Sequence, residues 1–129
     1  MGKMHNILIA DDSESMRFAI QATLIDAGYS VQVANDGLEA LDLAKSGTFD
    51  LVLTDINMPK MDGFQLIENL RNLMAYKFIP ILTLTTQSDD VSKHRAKQIG
   101  ATGWIVKPFS PPQLVKTLKR LIKSENEVA

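Results

Sequence analysis

Four short apolar runs, each followed or closed by polar residues, constrain the fold of this chain more than any other feature. The runs are residues 7–10, 51–54, 79–84 and 104–106. Runs of this length, rich in aliphatic and β-branched residues, are typical of strands buried in a parallel sheet. Helical patterns alternate with the runs, and this alternation predicts βαβ units. We therefore expect an α/β fold.

The segments between these runs predict five helices, and residues 30–34 fit a fifth strand. The helices, with the residues that mark them, are helix one (about Ser13 to Ala27, stopped by Gly28), helix two (capping box Asp36 and Glu39, ending near Gly47), helix three (after Asp62-Gly63, with apolar Phe64, Ile67, Leu70, Leu73 and Met74), helix four (about Asp89 to Ile99) and helix five (cap Ser110, Pro111 in the first turn, buried Leu114, Leu118, Leu121 and Ile122). Helix four has only Val91 and Ile99 as large apolar residues, so we expect it to be the least tightly packed helix and a candidate for motion.

Length and composition narrow the classes of protein further. A chain of 129 residues supports one domain with its own core, and we expect a single domain over residues 1–129, with a polar tail after about residue 124 and no output domain. No apolar stretch approaches the roughly 18 residues of a membrane span. A net charge of −1 argues against nucleic acid as the main partner. The absence of cysteine and of a signal-like N-terminus favours a cytoplasmic location.

Chemistry-bearing side chains follow the predicted strands at one end. Asp11 and Asp12 follow the first run, Asp55 follows the second, Thr85 closes the third and Lys107 follows the fourth. Because ligands of open parallel sheets bind at the carboxyl ends of the strands, we expect these side chains to converge. The sequence therefore predicts a single site made of acids, a hydroxyl and an amine.

Three clustered carboxylates repel one another, and a bound cation relieves the repulsion. Oxygen ligands favour Mg²⁺, with Mn²⁺ as the second choice, and Mg²⁺ usually bridges to a phosphate. An aspartate can itself accept a phosphoryl group, and Asp55 is the best candidate because it ends its run alone. Lys107 and Thr85 would donate to phosphoryl oxygens.

Each residue also has a plain structural explanation. Asp11, Asp12 and Ser13 fit a helix cap. Asp55 fits a turn, and Thr85 and Lys107 fit an ordinary strand residue and a solvated strand end. The four features together, at successive strand ends, favour the site.

These motifs resemble a known family. Asp11-Asp12, residues 55–63, Thr85-Thr86 and residues 107–109 resemble the receiver domain of bacterial two-component response regulators, and residues 100–109 are similar to its single-domain, CheY-like chemotaxis regulators. The resemblance implies a doubly wound, flavodoxin-like sheet of five parallel strands in the order 2-1-3-4-5. It also implies a cis peptide bond between Lys107 and Pro108.

The resemblance implies roles for individual residues. Asp55 would accept a phosphoryl group from a phosphohistidine of a sensor histidine kinase. Asp12, Asp55 and the backbone carbonyl of Asn57 would ligate Mg²⁺, with Asp11 acting through a metal-bound water. Thr85 and Lys107 would bind the phosphoryl group. Apart from its own phosphotransfer and autodephosphorylation, the protein would not be an enzyme.

A switch between two packings is expected on phosphorylation. Thr85 would move toward the phosphoryl group and Trp104, where the family usually has Tyr or Phe, would fill the space vacated, changing the surface of helix four, strand five and helix five. Thr86 stands where a smaller residue is common, and Gln87 and Asn57 flank the path of hydrolytic water. The basic residues of helix five are either a solvated face or a docking site for an acidic partner; they are Lys116, Lys119, Arg120 and Lys123.

Several functions remain open at this point. A monomeric chemotaxis regulator would bind a flagellar switch protein or another effector and would be served by a chemotaxis-type kinase and a phosphatase, whereas a phosphate sink or shuttle would only drain a kinase. A phosphatase of the haloacid dehalogenase type would need an acid where this chain has Asn57. A flavin carrier would need a Ser/Thr/Gly-rich loop where the chain has Asp11 and Asp12.

Overall fold

The computed structural model describes residues 4–122. Within this range, strands and helices alternate as β1 (Asn6–Ala10), α1 (Glu14–Asp26), β2 (Ser30–Ala34), α2 (Gly37–Ser46), β3 (Leu51–Thr54), α3 (Gly63–Arg71), a 3₁₀ turn (Met74–Tyr76), β4 (Ile81–Thr85), α4 (Asp90–Gln98), β5 (Gly103–Val106) and α5 (Pro111–Leu121). All neighbouring strands are parallel, in the order β2-β1-β3-β4-β5. The predicted fold class and strand order are confirmed. Lys123 and the predicted polar tail lie outside the described residues.

The sheet carries a core on each face because successive strand residues point to opposite sides. Ile7 and Ile9 of β1 pack with α1 and α5, whereas Leu8 and Ala10 pack with α2 and α3. The central strands β1, β3 and β4 are almost wholly buried. The expectation that every run is a buried strand is wrong for β5, which lies at the edge of the sheet and leaves Val106 38% exposed.

Helices α1 and α2 begin at capping side chains. The hydroxyl of Ser13 accepts a hydrogen bond from the amide of Met16, and the carboxylate of Asp36 accepts one from the amide of Glu39. The predicted capping box of α2 is wrong in its second half, because Glu39 accepts from the amide of Asn35 instead of closing back on Asp36. Gly28 follows the end of α1 with φ of +100°, as the predicted stop requires.

Helix α3 is shorter than predicted. It carries a complete capping box, in which Asp62 and Gln65 each accept from the other's amide, and it ends at Arg71. The prediction that Leu73 and Met74 belong to this helix is wrong: Met74 lies in the 3₁₀ turn and is 90% exposed. The turn that follows is stabilised by the Arg71 guanidinium, which donates to several carbonyl oxygens; they belong to Tyr76, Lys77, Ile79 and Gly100.

The two last helices differ in burial. In α4 only Ala96 is buried, and Val91 is 80% exposed, which confirms the expected sparse packing of this helix. Helix α5 buries Leu114 and Leu118, but the predicted burial of Leu121 and Ile122 is wrong, since both are only half-buried. Ser110 lies at the N-cap position of α5 but makes no side-chain capping bond. Across residues 4–122, none of the helices combines the length and the hydrophobicity that a bilayer crossing would need.

Candidate functional site

The carboxyl edge of the sheet brings the three predicted carboxylates together. Asp11, Asp12 and Asp55 each place one oxygen within 4.8 Å of the others. The register explains this, because Ala10 lies beside Thr54 and the next residue of each strand is an aspartate. The amide of Asp55 donates to the carbonyl of Ala10 over 2.8 Å, which extends the ladder by one residue and fixes the Asp55 backbone beside β1.

Lys107, which follows the edge strand β5, reaches the carboxylates with its side-chain ammonium. Its Nζ lies 2.8 Å from Oδ2 of Asp11 and 2.9 Å from Oδ2 of Asp55. Its amide donates to the carbonyl of Thr85 over 2.8 Å, and its bond to Pro108 is cis, as the resemblance implied. We call Asp11, Asp12, Asp55 and Lys107 the acceptor site. Four residues predicted from strand ends therefore lie together.

The charges of the acceptor site depend on one another. Burial alone would lower the pKa of Lys107, but hydrogen bonds to Asp11 and Asp55 outweigh it, so the pKa of Lys107 lies above its ordinary value. Burial raises the pKa of Asp11, although hydrogen bonds from Lys107 and Ser13 oppose the shift. One ammonium group thus compensates only partly for the burial of negative charge, and a divalent cation would supply the remainder.

The carboxylates differ in the contacts they already have. Each carboxylate oxygen of Asp11 already accepts one hydrogen bond, Oδ1 from the amide of Ser13 and Oδ2 from the Lys107 ammonium. Asp55 accepts from the amide of Ile56 and from Lys107. Asp12 is exposed, and its carboxylate takes part in none of the hydrogen bonds or ion pairs described for residues 4–122. This open, hard oxygen donor beside two buried ones fits an ion such as Mg²⁺.

The loop that follows Asp55 is held by two glycines. We call residues 56–62 the acceptor loop. The amide of Gly63 donates to the carbonyl of Ile56 over 2.8 Å, and a Cβ at Gly63 would lie 2.2 Å from the carbonyl oxygen of Asp55. A Cβ at Gly37 would lie 2.2 Å from the carbonyl oxygen of Met61. Only glycine permits these approaches, so α2 and α3 both clamp the loop that carries Asn57.

Thr85 and Trp104, the predicted switch residues, both form hydrogen bonds with the backbone of Gln87. Thr85 is fully buried at the end of β4, and its Oγ1 accepts from the amide of Gln87 over 3.3 Å. The indole Nε1 of Trp104 donates to the carbonyl of Gln87 over 3.0 Å. The ring is partly buried and packs against the cluster formed by Ile56, Phe64 and Ala96. The movement of Thr85 and Trp104 stays a prediction.

Sequence reasoning missed two features of this site. The sequence places Asp62 and Gly63 at the start of helix three and in the motif of residues 55–63, but neither placement predicts the glycine clamps of Gly63 on Asp55 and of Gly37 on Met61. Gln87 was placed beside the water path, whereas its bonds reach four separate segments of the chain. A glutamine two residues after a strand end gives no signal of such a role by itself.

The fold and the grouping of Asp11, Asp12, Asp55 and Lys107 are those of a class of signalling domain, the receiver domain. The family model described as the response regulator receiver domain matches residues 7–119, and the chain belongs to this family. The rival assignments to a haloacid dehalogenase-type phosphatase and to a flavin carrier are therefore dropped. Receiver domains generally bind Mg²⁺ and work with a kinase and an effector.

Individual relatives show how the domain is used elsewhere. Chemotaxis protein CheY-3 of Vibrio cholerae is 39% identical over 124 residues, which cover 95% of each chain. The probable transcriptional regulator ycf29 of Porphyra purpurea is 37% identical over 118 residues, and the present chain covers 92% of its own length but only 56% of that protein. The structure of the chemotaxis protein CheY4 of Vibrio cholerae superposes with a TM-score of 0.89 at 48% identity, covering 93% of this chain and all of that one.

Proposed function

We propose that this protein is a response regulator that accepts a phosphoryl group on Asp55 from a sensor histidine kinase. The observation that carries the proposal is the acceptor site itself: Asp55 lies 2.9 Å from the Lys107 ammonium, and the carboxylate of Asp12 has no protein donor among the described contacts. In the transfer, a carboxylate oxygen of Asp55 forms a bond to phosphorus, and the bond from phosphorus to the donor imidazole nitrogen breaks. The imidazole leaves with that electron pair.

The residues around Asp55 have separate tasks in this step. The Lys107 ammonium already donates to Asp55 and Asp11, and after the transfer it would donate to a phosphoryl oxygen. The hydroxyl of Thr85 would donate to another phosphoryl oxygen. Asp12, Asp55 and the backbone carbonyl of Asn57 would hold Mg²⁺ directly, and Asp11 would hold it through a water. The metal, when bound, supplies positive charge that lowers the repulsion between Asp55 and the incoming phosphate.

Phosphorylation would move Trp104 and change the surface formed by α4, β5 and α5. The proximity of Thr85 and Trp104 to Gln87 supports this, as does the sparse packing of α4. Lys116, Lys119 and Arg120 of α5 are exposed, so an acidic partner segment is the expected ligand of this surface. The predicted fourth basic residue, Lys123, lies outside the described residues.

The effector is proposed to belong to chemotaxis, with a flagellar switch protein as the first candidate. The full-length similarity to CheY-3 and CheY4 supports this choice. The similarity to ycf29, whose printed name is probable transcriptional regulator, supports outputs other than chemotaxis as alternatives. A phosphate sink or shuttle is the second candidate, and it would transfer phosphate without binding any effector.

The remaining expectations belong to the same proposal. The protein would act as a cytoplasmic monomer without nucleic-acid or membrane partners, would be reset by its own hydrolysis and by a phosphatase, and would catalyse no other reaction.

Phosphotransfer from a purified chemotaxis histidine kinase tests the acceptor, with Asp55→Asn as the variant and Asp50→Asn as the control, because Asp50 is a half-buried aspartate outside the site whose Oδ2 accepts from the amide of Asn6. We expect label on the protein and on Asp50→Asn, and none on Asp55→Asn. A pull-down with a flagellar switch protein then separates the two candidates. Phosphorylation-dependent capture supports the motor switch, and rapid transfer without capture supports the sink.

A further inference from the structure

Gln87 is the point at which four segments of the chain meet. Its Oε1 accepts from Nδ2 of Asn57 over 3.0 Å, and its Nε2 donates to Oγ of Ser92 over 3.0 Å. Its backbone amide donates to Thr85 and its carbonyl accepts from Trp104. The acceptor loop, the end of β4, the first turn of α4 and β5 are thus joined through one residue.

The amide side chain suits this position because it accepts at one end and donates at the other. An apolar side chain of the same length would break both side-chain bonds and leave the two backbone bonds in place. The bond from Gln87 to Ser92 reaches the first turn of α4, where Asp89 also accepts from the amide of Ser92 over 2.9 Å. Since α4 buries only Ala96, its first turn has little else to hold it.

We propose that Gln87 is a positioning residue that couples occupation of the metal site to the first turn of α4 and to the indole of Trp104. The inference rests on the proposed function, because Asn57 is there a metal ligand through its backbone carbonyl. The backbone carbonyl of Asn57 would help to hold the metal, and an Asn57 backbone held in this way would restrict its side-chain amide and, through the bond to Oε1, the side chain of Gln87. Gln87 passes the restriction to Ser92 through its side chain and to Trp104 through its carbonyl.

A purely structural role would have a different signature. If Gln87 only stabilised the fold, its removal would lower the unfolding midpoint but leave the response of α4 to metal unchanged. Coupling instead predicts that the metal-dependent part of the signal disappears while metal still binds. The test therefore compares each variant with and without Mg²⁺.

The experiment combines calorimetry of Mg²⁺ binding, emission of Trp104, the only tryptophan, and amide hydrogen exchange in residues 90–93. The variants are Gln87→Met, which removes both side-chain bonds, and Gln87→Glu, whose carboxylate can accept from Asn57 and from the Ser92 hydroxyl. Ser92→Ala removes the branch to α4 alone. Gln98→Met, at the exposed end of the same helix, is the matched control.

In the unchanged protein and in Gln98→Met, we expect Mg²⁺ to change Trp104 emission and to slow exchange in residues 90–93 by about two- to tenfold, the range set by one side-chain hydrogen bond. In Gln87→Met both responses should be lost although Mg²⁺ binds, and Gln87→Glu should restore them. Ser92→Ala should lose the exchange response and keep the emission response.

Wild-type responses in Gln87→Met, or failure of Gln87→Glu to restore them, would overturn the inference. Calorimetry separates this failure from that of the proposed function. If the unchanged protein binds no Mg²⁺, the proposed metal site is wrong and the coupling falls with it. If Mg²⁺ binds to all variants and their responses do not differ, the coupling alone is wrong.

Discussion

Helices α3 and α4 have the same length and opposite packing. Each has nine residues and begins at an aspartate whose side chain accepts a first-turn amide. Both contact the cluster of Ile56, Phe64 and Ala96. Yet α3 buries five residues (Gly63, Phe64, Leu66, Ile67 and Leu70), whereas α4 buries Ala96 alone.

The difference shows where the fold places rigidity. Helix α3 begins at Gly63, which closes the acceptor loop, so the buried helix holds the residues beside Asp55. Helix α4 lies beside Trp104 and is held by Gln87 and by Arg95, whose guanidinium lies 4.0 Å from the centre of the Phe64 ring. A helix with so little buried area can shift at small free-energy cost, which a switching surface requires.

Matched truncations in the two helices should separate them most clearly. Leu66→Ala in α3 removes a side chain with no exposure, and we expect it to lower the free energy of unfolding by about 2–5 kcal/mol. Val91→Ala in α4 removes a side chain that is 80% exposed, and it should change stability by about 0.5 kcal/mol or less. Urea unfolding measures both, and similar losses would contradict the comparison.

The clamp between α3 and the acceptor loop can be broken at Gly63. A Cβ there would overlap the carbonyl of Asp55, so Gly63→Ala should cost about 1–3 kcal/mol of stability and also weaken Mg²⁺ binding. Gly47→Ala, whose nearest neighbours would lie 3.3 Å from the new Cβ, is the milder control and should leave Mg²⁺ binding unchanged. Calorimetric titration decides whether the clamp matters to the metal site.

Loss of the contact between Arg95 and the Phe64 ring should have the next largest effect on stability. Arg95→Leu keeps an apolar stem but removes the charge above the ring, and we expect a loss of about 0.5–1 kcal/mol. Lys97→Leu changes charge equally on the same helix without a described ring contact. Faster amide exchange across α4 in Arg95→Leu than in Lys97→Leu would support the contact, and equal exchange would count against it.

The smallest expected effect is a local pH dependence at the start of α4. The hydrogen bond from the amide of Ser92 holds the pKa of Asp89 below its ordinary value of 3.8. A depressed pKa means that the cap stabilises the helix above that value and is lost as pH falls through the lower, folded value. The amide shift of Ser92 in NMR should therefore follow this titration. In Asp89→Asn, which caps without titrating, the shift should no longer follow it.

Sequence reasoning located the site side chains correctly where their positions follow from the strand ends. Asp11, Asp55 and Lys107 follow β1, β3 and β5, and the rule for parallel sheets places the carboxyl ends of the strands at one edge. It failed where contacts depend on tertiary placement. The apolar spacing that continues to Met74 predicts a longer α3. The helix instead ends at Arg71, whose guanidinium donates to the carbonyl of Gly100.

The glycine clamps and the hydrogen bonds of Gln87 could not be predicted from the sequence, because they too depend on tertiary placement. Gly37, the first residue of α2, contacts Met61 of the acceptor loop, and Gln87 contacts Asn57, which lies thirty positions earlier in the sequence. Neither pair has a local periodicity or motif. The sequence does identify the acceptor-site residues, but not the contacts of Gly37, Gly63 and Gln87 around them.

The most direct test of the account is to locate the phosphoryl group. The protein is incubated with acetyl phosphate, with and without Mg²⁺, and the modified residue is identified by peptide mass spectrometry after reduction with borohydride. The account predicts modification at Asp55, dependent on Mg²⁺ and strongly reduced in Lys107→Gln. Modification at another residue, or at Asp55 without any need for metal, would contradict it.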